Sequence, residues 1–145
     1  MKIFITLYFL ILFFSLNSCS TSIIQDSFNS KQLVSSKGEK IYINSINRGV
    51  TGDYQLSIIS KNPHSLKEID DTVGVVEGLD PFIYSFNNDT LTLFFYDSVH
   101  YKIKEKFKTI MVNYIVVSDS KYLLISEKAL NNFGYFSVPA KNMTK

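Results

Sequence analysis

Cysteine occurs once in this 145-residue chain, tryptophan not at all, histidine twice, proline three times and glycine six times. A single cysteine excludes an internal disulfide. No HExxH, GxSxG, P-loop or CxxC pattern is present, so the chain lacks the recognised spacings of a zinc protease, a serine hydrolase, a nucleotide cradle or a dithiol site. No cofactor and no metal are expected. Alanine is confined to Ala129 and Ala140, against 12 Phe and 9 Tyr, a balance that disfavours helix and favours strands. Excess charge is also missing: 15 basic residues oppose 13 acidic ones. That near-balance lacks the basic stripe of a nucleic-acid binder, so no nucleic acid is expected as a partner. A membrane-spanning helix needs about 20 apolar residues, and the apolar run from Ile3 to Leu16 is shorter and contains Thr6 and Ser15.

What the N-terminus does contain is the layout of a secretion signal, MKIFITLYFLILFFSLNSCS. Lys2 supplies a positive start, Ile3 to Phe14 an apolar core, and Leu16-Asn17-Ser18 a short run ending on a small residue. Cys19 follows directly. The segment resembles the lipobox of bacterial lipoproteins, in which the cysteine after the cut carries the lipid. The resemblance implies a signal peptide over 1–18, lipidation of Cys19 with a diacylglyceryl group and an amide-linked acyl chain such as palmitate, and stable anchoring, because more than one acyl chain is buried. It also implies a place on the cell membrane or outer membrane. Ser20 lacks the aspartate that retains enteric lipoproteins at the inner membrane, and the first acid after the cysteine is Asp26, so a periplasmic face is expected ahead of the cell surface.

Removing residues 1–18 from the 145 leaves 127 residues, enough for one domain with its own core. Residues 19–37, rich in serine and without sustained periodicity, read as a flexible tether; Ile23, Ile24 and Leu33-Val34 within it could dock as a short edge strand. Residues 38–145 read as a single β domain. Candidate strands are Lys40 to Asn47, Tyr54 to Ser60, Val73 to Val76, a hairpin that sets Phe82, Tyr84 and Phe86 against Leu91, Leu93 and Phe95, then Val99 to Lys108, Ile110 to Val117, Tyr122 to Ile125 and Tyr135 to Val138. The hairpin loop Asn87-Asn88-Asp89-Thr90 holds residues that tolerate left-handed backbone angles. Tyr54, Leu56 and Ile58 are expected on one face of their strand, Gln55 and Ser57 on the other. Ile110 to Val117 is apolar on both faces apart from Asn113, which predicts a central strand. A helical turn is expected only at Glu127 to Asn132. The fold class is therefore all-β, a small antiparallel sandwich or partly open barrel with at most one short helix.

Val99, Tyr101, Ile103 and Phe107 alternate with Lys102, Lys104, Lys106 and Lys108. On a strand the four lysines would form a row about 7 Å apart. Such a row either docks an anionic partner or guards a sheet edge against strand addition. His64 and His100 lack partners at triad or metal spacing and read as surface residues, although Asp97, Ser98 and His100 are close enough in sequence to seed a hydrolase or transferase site. Glu68, Asp70 and Asp71 lack the spacing of a calcium loop. Tyr84, Tyr96, Tyr101 and Tyr114 either pack across strands or line a carbohydrate face. Asp71-Thr72-Val73, Asp89-Thr90-Leu91 and Asp97-Ser98-Val99 resemble the O-glycosylation sequon of exported Bacteroidota proteins, which would mark Thr72, Thr90 and Ser98; the same residues also suit turns before strands. The whole chain resembles small lipoproteins of that phylum. Two functions stay open: a non-catalytic, lipid-anchored envelope domain that binds a protein or glycan, and an envelope hydrolase or transferase working near Asp97, Ser98 and His100.

Overall fold

The computed structural model describes residues 27–48, 54–67 and 74–138. Cys19, Thr72 and the acids Glu68, Asp70 and Asp71 lie outside them. Eight strands and one helix follow in the order β1 (Ser27–Val34), β2 (Lys40–Arg48), β3 (Tyr54–Ser60), β4 (Val76–Glu77), β5 (Ile83–Asn87), β6 (Thr90–Tyr96), β7 (Met111–Val117), α1 (Asp119–Leu130) and β8 (Phe136–Ser137). They form two four-stranded sheets, ordered β1-β2-β3-β4 and β7-β6-β5-β8. The described residues form a small all-β fold with one helix and no closed barrel. Leu33, Ile41, Ile43, Ile59 and Val76 of the first sheet share one buried cluster with Tyr84, Leu91, Leu93 and Phe95 of the second and with Phe82 just before β5, so the sheets face each other across a common core.

The β5–β6 hairpin has the expected register, with Tyr84 opposite Leu93 and Phe86 opposite Leu91. Its cause is local. Asn88 and Asp89 both take positive φ, 48° and 57°, the turn whose twist matches that of the flanking strands and that Asn and Asp enter at least cost.

Three expectations change. Residues 27–34, expected within the tether, are strand β1, paired antiparallel with β2 along its whole length, because Phe28 and Leu33 have apolar clusters to join. Val99 to Lys108 is not a strand but an irregular crossover linking β6 to β7, which run parallel. Its alternation nevertheless reports burial correctly, since Val99, Tyr101, Ile103 and Phe107 pack into the core while Lys102, Lys104, Lys106 and Lys108 are exposed. Side chains replace the missing ladder. Ile59 N–H donates to Tyr101 Oη at 2.8 Å and Ile103 N–H to Tyr114 Oη at 3.0 Å. Tyr122 to Ile125, expected as a strand, lies inside α1, whose Tyr122, Ile125 and Ala129 turn inward against Ile83, Phe94 and Val117; that spacing of three and four is helical. The helix ends in a Schellman motif, with Asn132 at φ 56° and Phe133 N–H donating to Lys128 C=O at 2.9 Å, the geometry in which Asn substitutes for Gly.

Two further assignments reverse. β7 is an edge strand, and Met111, Ile115 and Val116 are 63%, 39% and 47% exposed, because α1 packs over β5, β6 and β8 and leaves most of β7 uncovered. In β3 the polar residues face inward. Gln55, Ser57 and Ile59 line the space between the sheets, while Leu56 and Ile58 are covered from outside by Phe28, Leu66 and Val75.

At one end of the sandwich Glu39 ties the two sheets together. Its carboxylate accepts from Lys108 N–H at 2.9 Å, from Thr109 N–H at 2.5 Å and from Thr109 Oγ1 at 2.8 Å. The backbone donors of Lys108 and Thr109, helped by the Thr109 hydroxyl and the Lys61 ammonium, hold its pKa down at about 2 against the ordinary 4.5. A depressed carboxylate contributes stability that is complete above the unfolded value and lost as pH falls toward the folded one. Urea midpoints measured from pH 7 to pH 2 are expected to fall mainly below about pH 4.5 in the wild type. Glu39→Gln should be less stable at neutral pH and lose less on acidification. An equal slope in both proteins would remove Glu39 as the cause.

Candidate functional site

A concavity of about 550 Å³ opens where the β4–β5 connection, the end of β6 and the start of α1 meet. Pro81 fixes the first of these segments, and Gly78, at φ 125°, lets it turn while its N–H donates to Gln55 C=O at 3.1 Å. A positive φ of this size is accessible at little cost only to glycine.

The second wall is a tight turn. Ser98 N–H donates to Tyr96 C=O at 2.7 Å, and the residue between them, Asp97, has φ 64°. A three-residue turn with a positive central φ is rare and strained, and strain of about 1–3 kcal/mol tends to persist where a position serves function. Here it ends β6 abruptly. Tyr96 remains 51% exposed at the rim, its ring set edge-on to Tyr122 of α1 at 5.9 Å. Partial burial, and then the charge of Asp80, push the Tyr122 hydroxyl above its ordinary pKa, so it stays a neutral donor and acceptor at physiological pH.

His100 holds the floor. Its Nδ1 lies 3.1 Å from Ser98 C=O and its Nε2 2.7 Å from Pro81 C=O, and the ring stands edge-on to buried Phe95 at 5.0 Å. Asp97, Ser98 and His100 thus do line one concavity, as their proximity in sequence suggested. They do not form a nucleophile–base pair, because both ring nitrogens face backbone carbonyls and neither serves the Ser98 hydroxyl. The imidazole acts as a brace between two loops. Glu77, Asp80 and Asp97 add carboxylates to the same surface, and among the described residues no group of three or more His, Cys, Asp or Glu is arranged to hold a metal.

The remaining sequence candidates are dispersed. Of the four tyrosines read as either packing across strands or lining a carbohydrate face, Tyr84 and Tyr101 pack in the core at 3% and 5% exposed, Tyr114 is half-buried beneath the crossover, and only Tyr96 faces solvent. Burial raises the hydroxyls of Tyr84 and Tyr101 to about 12. The lysines are exposed on a segment without strand geometry: the Lys104 stem passes over Gly74, and Lys106 and Lys108 are engaged through backbone C=O and N–H by Lys61 and Glu39. Ser98 is exposed at the rim of the concavity, whereas Thr90 is half-buried, its hydroxyl donating to Asn88 C=O at 3.3 Å. His64 is exposed in a turn capped by Asn62. Sequence reasoning missed Tyr122, which it placed on a strand; the spacing of Tyr122, Ile125 and Ala129 was the available signal.

No helix among the described residues is long and apolar enough to cross a membrane. No protein-family model, no curated protein and no solved structure matches the chain.

Proposed function

We propose that this chain is a lipid-anchored domain of the bacterial cell envelope, attached through Cys19, whose role is to bind an envelope glycan without chemically altering it. The anchor rests on the signal-like segment before Cys19. The binding role is carried by one observation: an exposed tyrosine, held by a strained turn, stands beside three carboxylates in an open concavity. A pyranose presents an apolar C–H face and a rim of hydroxyl donors. Tyr96 supplies the flat partner for the first, and Glu77, Asp80 and Asp97 supply acceptors for the second. The catalytic alternative is disfavoured by His100, whose ring nitrogens are committed to Ser98 and Pro81 carbonyls.

The test is co-sedimentation of the full chain with purified envelope polysaccharide. Wild type is expected to bind saturably, and Tyr96→Ala to lose about tenfold or more in affinity, the scale of losing one central aromatic contact. Tyr96 is half-exposed, so the variant should keep the wild-type urea midpoint. Undiminished binding by Tyr96→Ala would remove the concavity from the function, and release of shortened glycan by the wild type would replace the binding reading with a hydrolytic one.

A further inference from the structure

A second cavity, about 160 Å³, lies between the sheets on the side where β1 faces β8. Lys31, Ile43 and Ser45 line it from the first sheet, Tyr84 and Phe136 from the second, and Asn132 at its mouth. Tyr84 and Phe136 are cross-strand partners with ring centroids 5.3 Å apart, so one wall is aromatic. The other begins with a cation. Lys31 is the register partner of Ile43 on the inner face of the edge strand, and the ion pair of Lys61 with Glu39 does not involve it.

Behind this mouth the inner face of the first sheet stays polar. Ser45 pairs with Ser57, and Asn47 with Gln55. Ser57 Oγ, Gln55 Nε2 and Asn47 Oδ1 are buried with no hydrogen-bond partner, and Ser57 and Gln55 are 0% and 4% exposed. A buried polar atom left unpaired has lost its hydration without compensation, so three along one face call for a partner. A cavity of about 150 Å³ admits a benzene-sized ring.

We propose that this cleft binds a small aromatic monocarboxylate, its ring against Tyr84 and Phe136 and its carboxylate shared by the Lys31 ammonium and the Ser45 hydroxyl. The site is separate from the Tyr96 concavity and does not depend on the glycan reading. A cation supplies the charge-assisted bond that fixes the carboxylate, and the aromatic wall selects a flat body over an aliphatic one. Through bridging water the bound carboxylate would also offer an acceptor to the Ser57 hydroxyl and to Gln55 Nε2, though not to Asn47 Oδ1, which itself accepts.

The experiment is a nuclear magnetic resonance titration of the full chain in detergent micelles with benzoate, benzyl alcohol and acetate. Benzoate is expected to saturate and to shift amides of β1, β2 and β8; benzyl alcohol, which lacks the charge, and acetate, which lacks the ring, should bind at least about tenfold more weakly. Lys31→Gln should lose about tenfold or more for benzoate with an otherwise unchanged spectrum, and Lys31→Arg should recover most of it. An inward lysine on an edge strand can also serve only to block strand addition. If Lys31→Gln lowers solubility while benzoate fails to saturate the wild type, or binds the variant as well, the proposal is overturned. Shifts confined to Tyr96, Ser98 and His100 would overturn it equally, since they would place benzoate in the other cavity.

Discussion

Replacing Cys19 with alanine is expected to abolish acylation outright and move the protein from the membrane to the soluble fraction. One acyl chain gives only marginal, reversible membrane binding, while two or more hold a protein stably at about 0.8 kcal/mol per buried CH₂. Removing the only attachment atom therefore leaves no partial effect. The measurement is incorporation of labelled palmitate in a bacterial host, followed by fractionation. Wild type should carry label and sediment with membranes, and Cys19→Ala should do neither. Label in the variant, or none in the wild type, would overturn the anchor. Glycan binding through Tyr96 should survive the change, which separates where the protein sits from what it holds.

The second large effect is in the core. Phe95 is 0% exposed and lies beneath the site, its ring 6.1 Å from Phe82, 6.4 Å from Tyr114 and 5.0 Å from His100. Phe95→Ala should cost about 3–5 kcal/mol, the transfer term plus the cavity left behind. A domain of this size has about 5–15 kcal/mol in total, so much of its stability would go. Urea denaturation should show a lower midpoint at unchanged slope. Phe95→Leu, which keeps most of the volume, should cost clearly less. Because Phe95 also supports the imidazole, the Leu variant should bind glycan more weakly than its stability loss alone would explain. A loss below about 1 kcal/mol for Phe95→Ala would mean that the site collapses around the smaller side chain.

The concavity illustrates why part of the site was legible in sequence. Asp97, Ser98 and His100 sit within four positions of one another, and short-range proximity survives folding whatever the topology. Tyr122 and Pro81 reach the same surface through α1 and the β4–β5 connection, and no local pattern announces contacts between segments so far apart. Glu39 is hidden for the same reason. In sequence it is an acid beside Gly38 and Lys40, and its role appears only when Lys108 and Thr109 arrive from the far end of the crossover.

Local chemistry alone determined the β character, the boundaries of β3, and the hairpin with its register, because side chains alternate across a strand with period two and a two-residue turn of Asn and Asp admits one twist. It also determined which residues of the crossover are buried. Tertiary structure decided whether that alternation came with a backbone ladder, since a ladder needs a neighbouring strand and the Ile103 and Lys108 N–H groups meet the side chains of Tyr114 and Glu39 instead. Tertiary structure likewise placed β7 at an edge although both its faces are apolar, turned Gln55 and Ser57 inward and left Leu56 to be covered by Leu66. The reason is common to all three. Periodicity reports that two faces differ or are alike, but which face is covered, and by what, depends on segments that only the folded chain brings together.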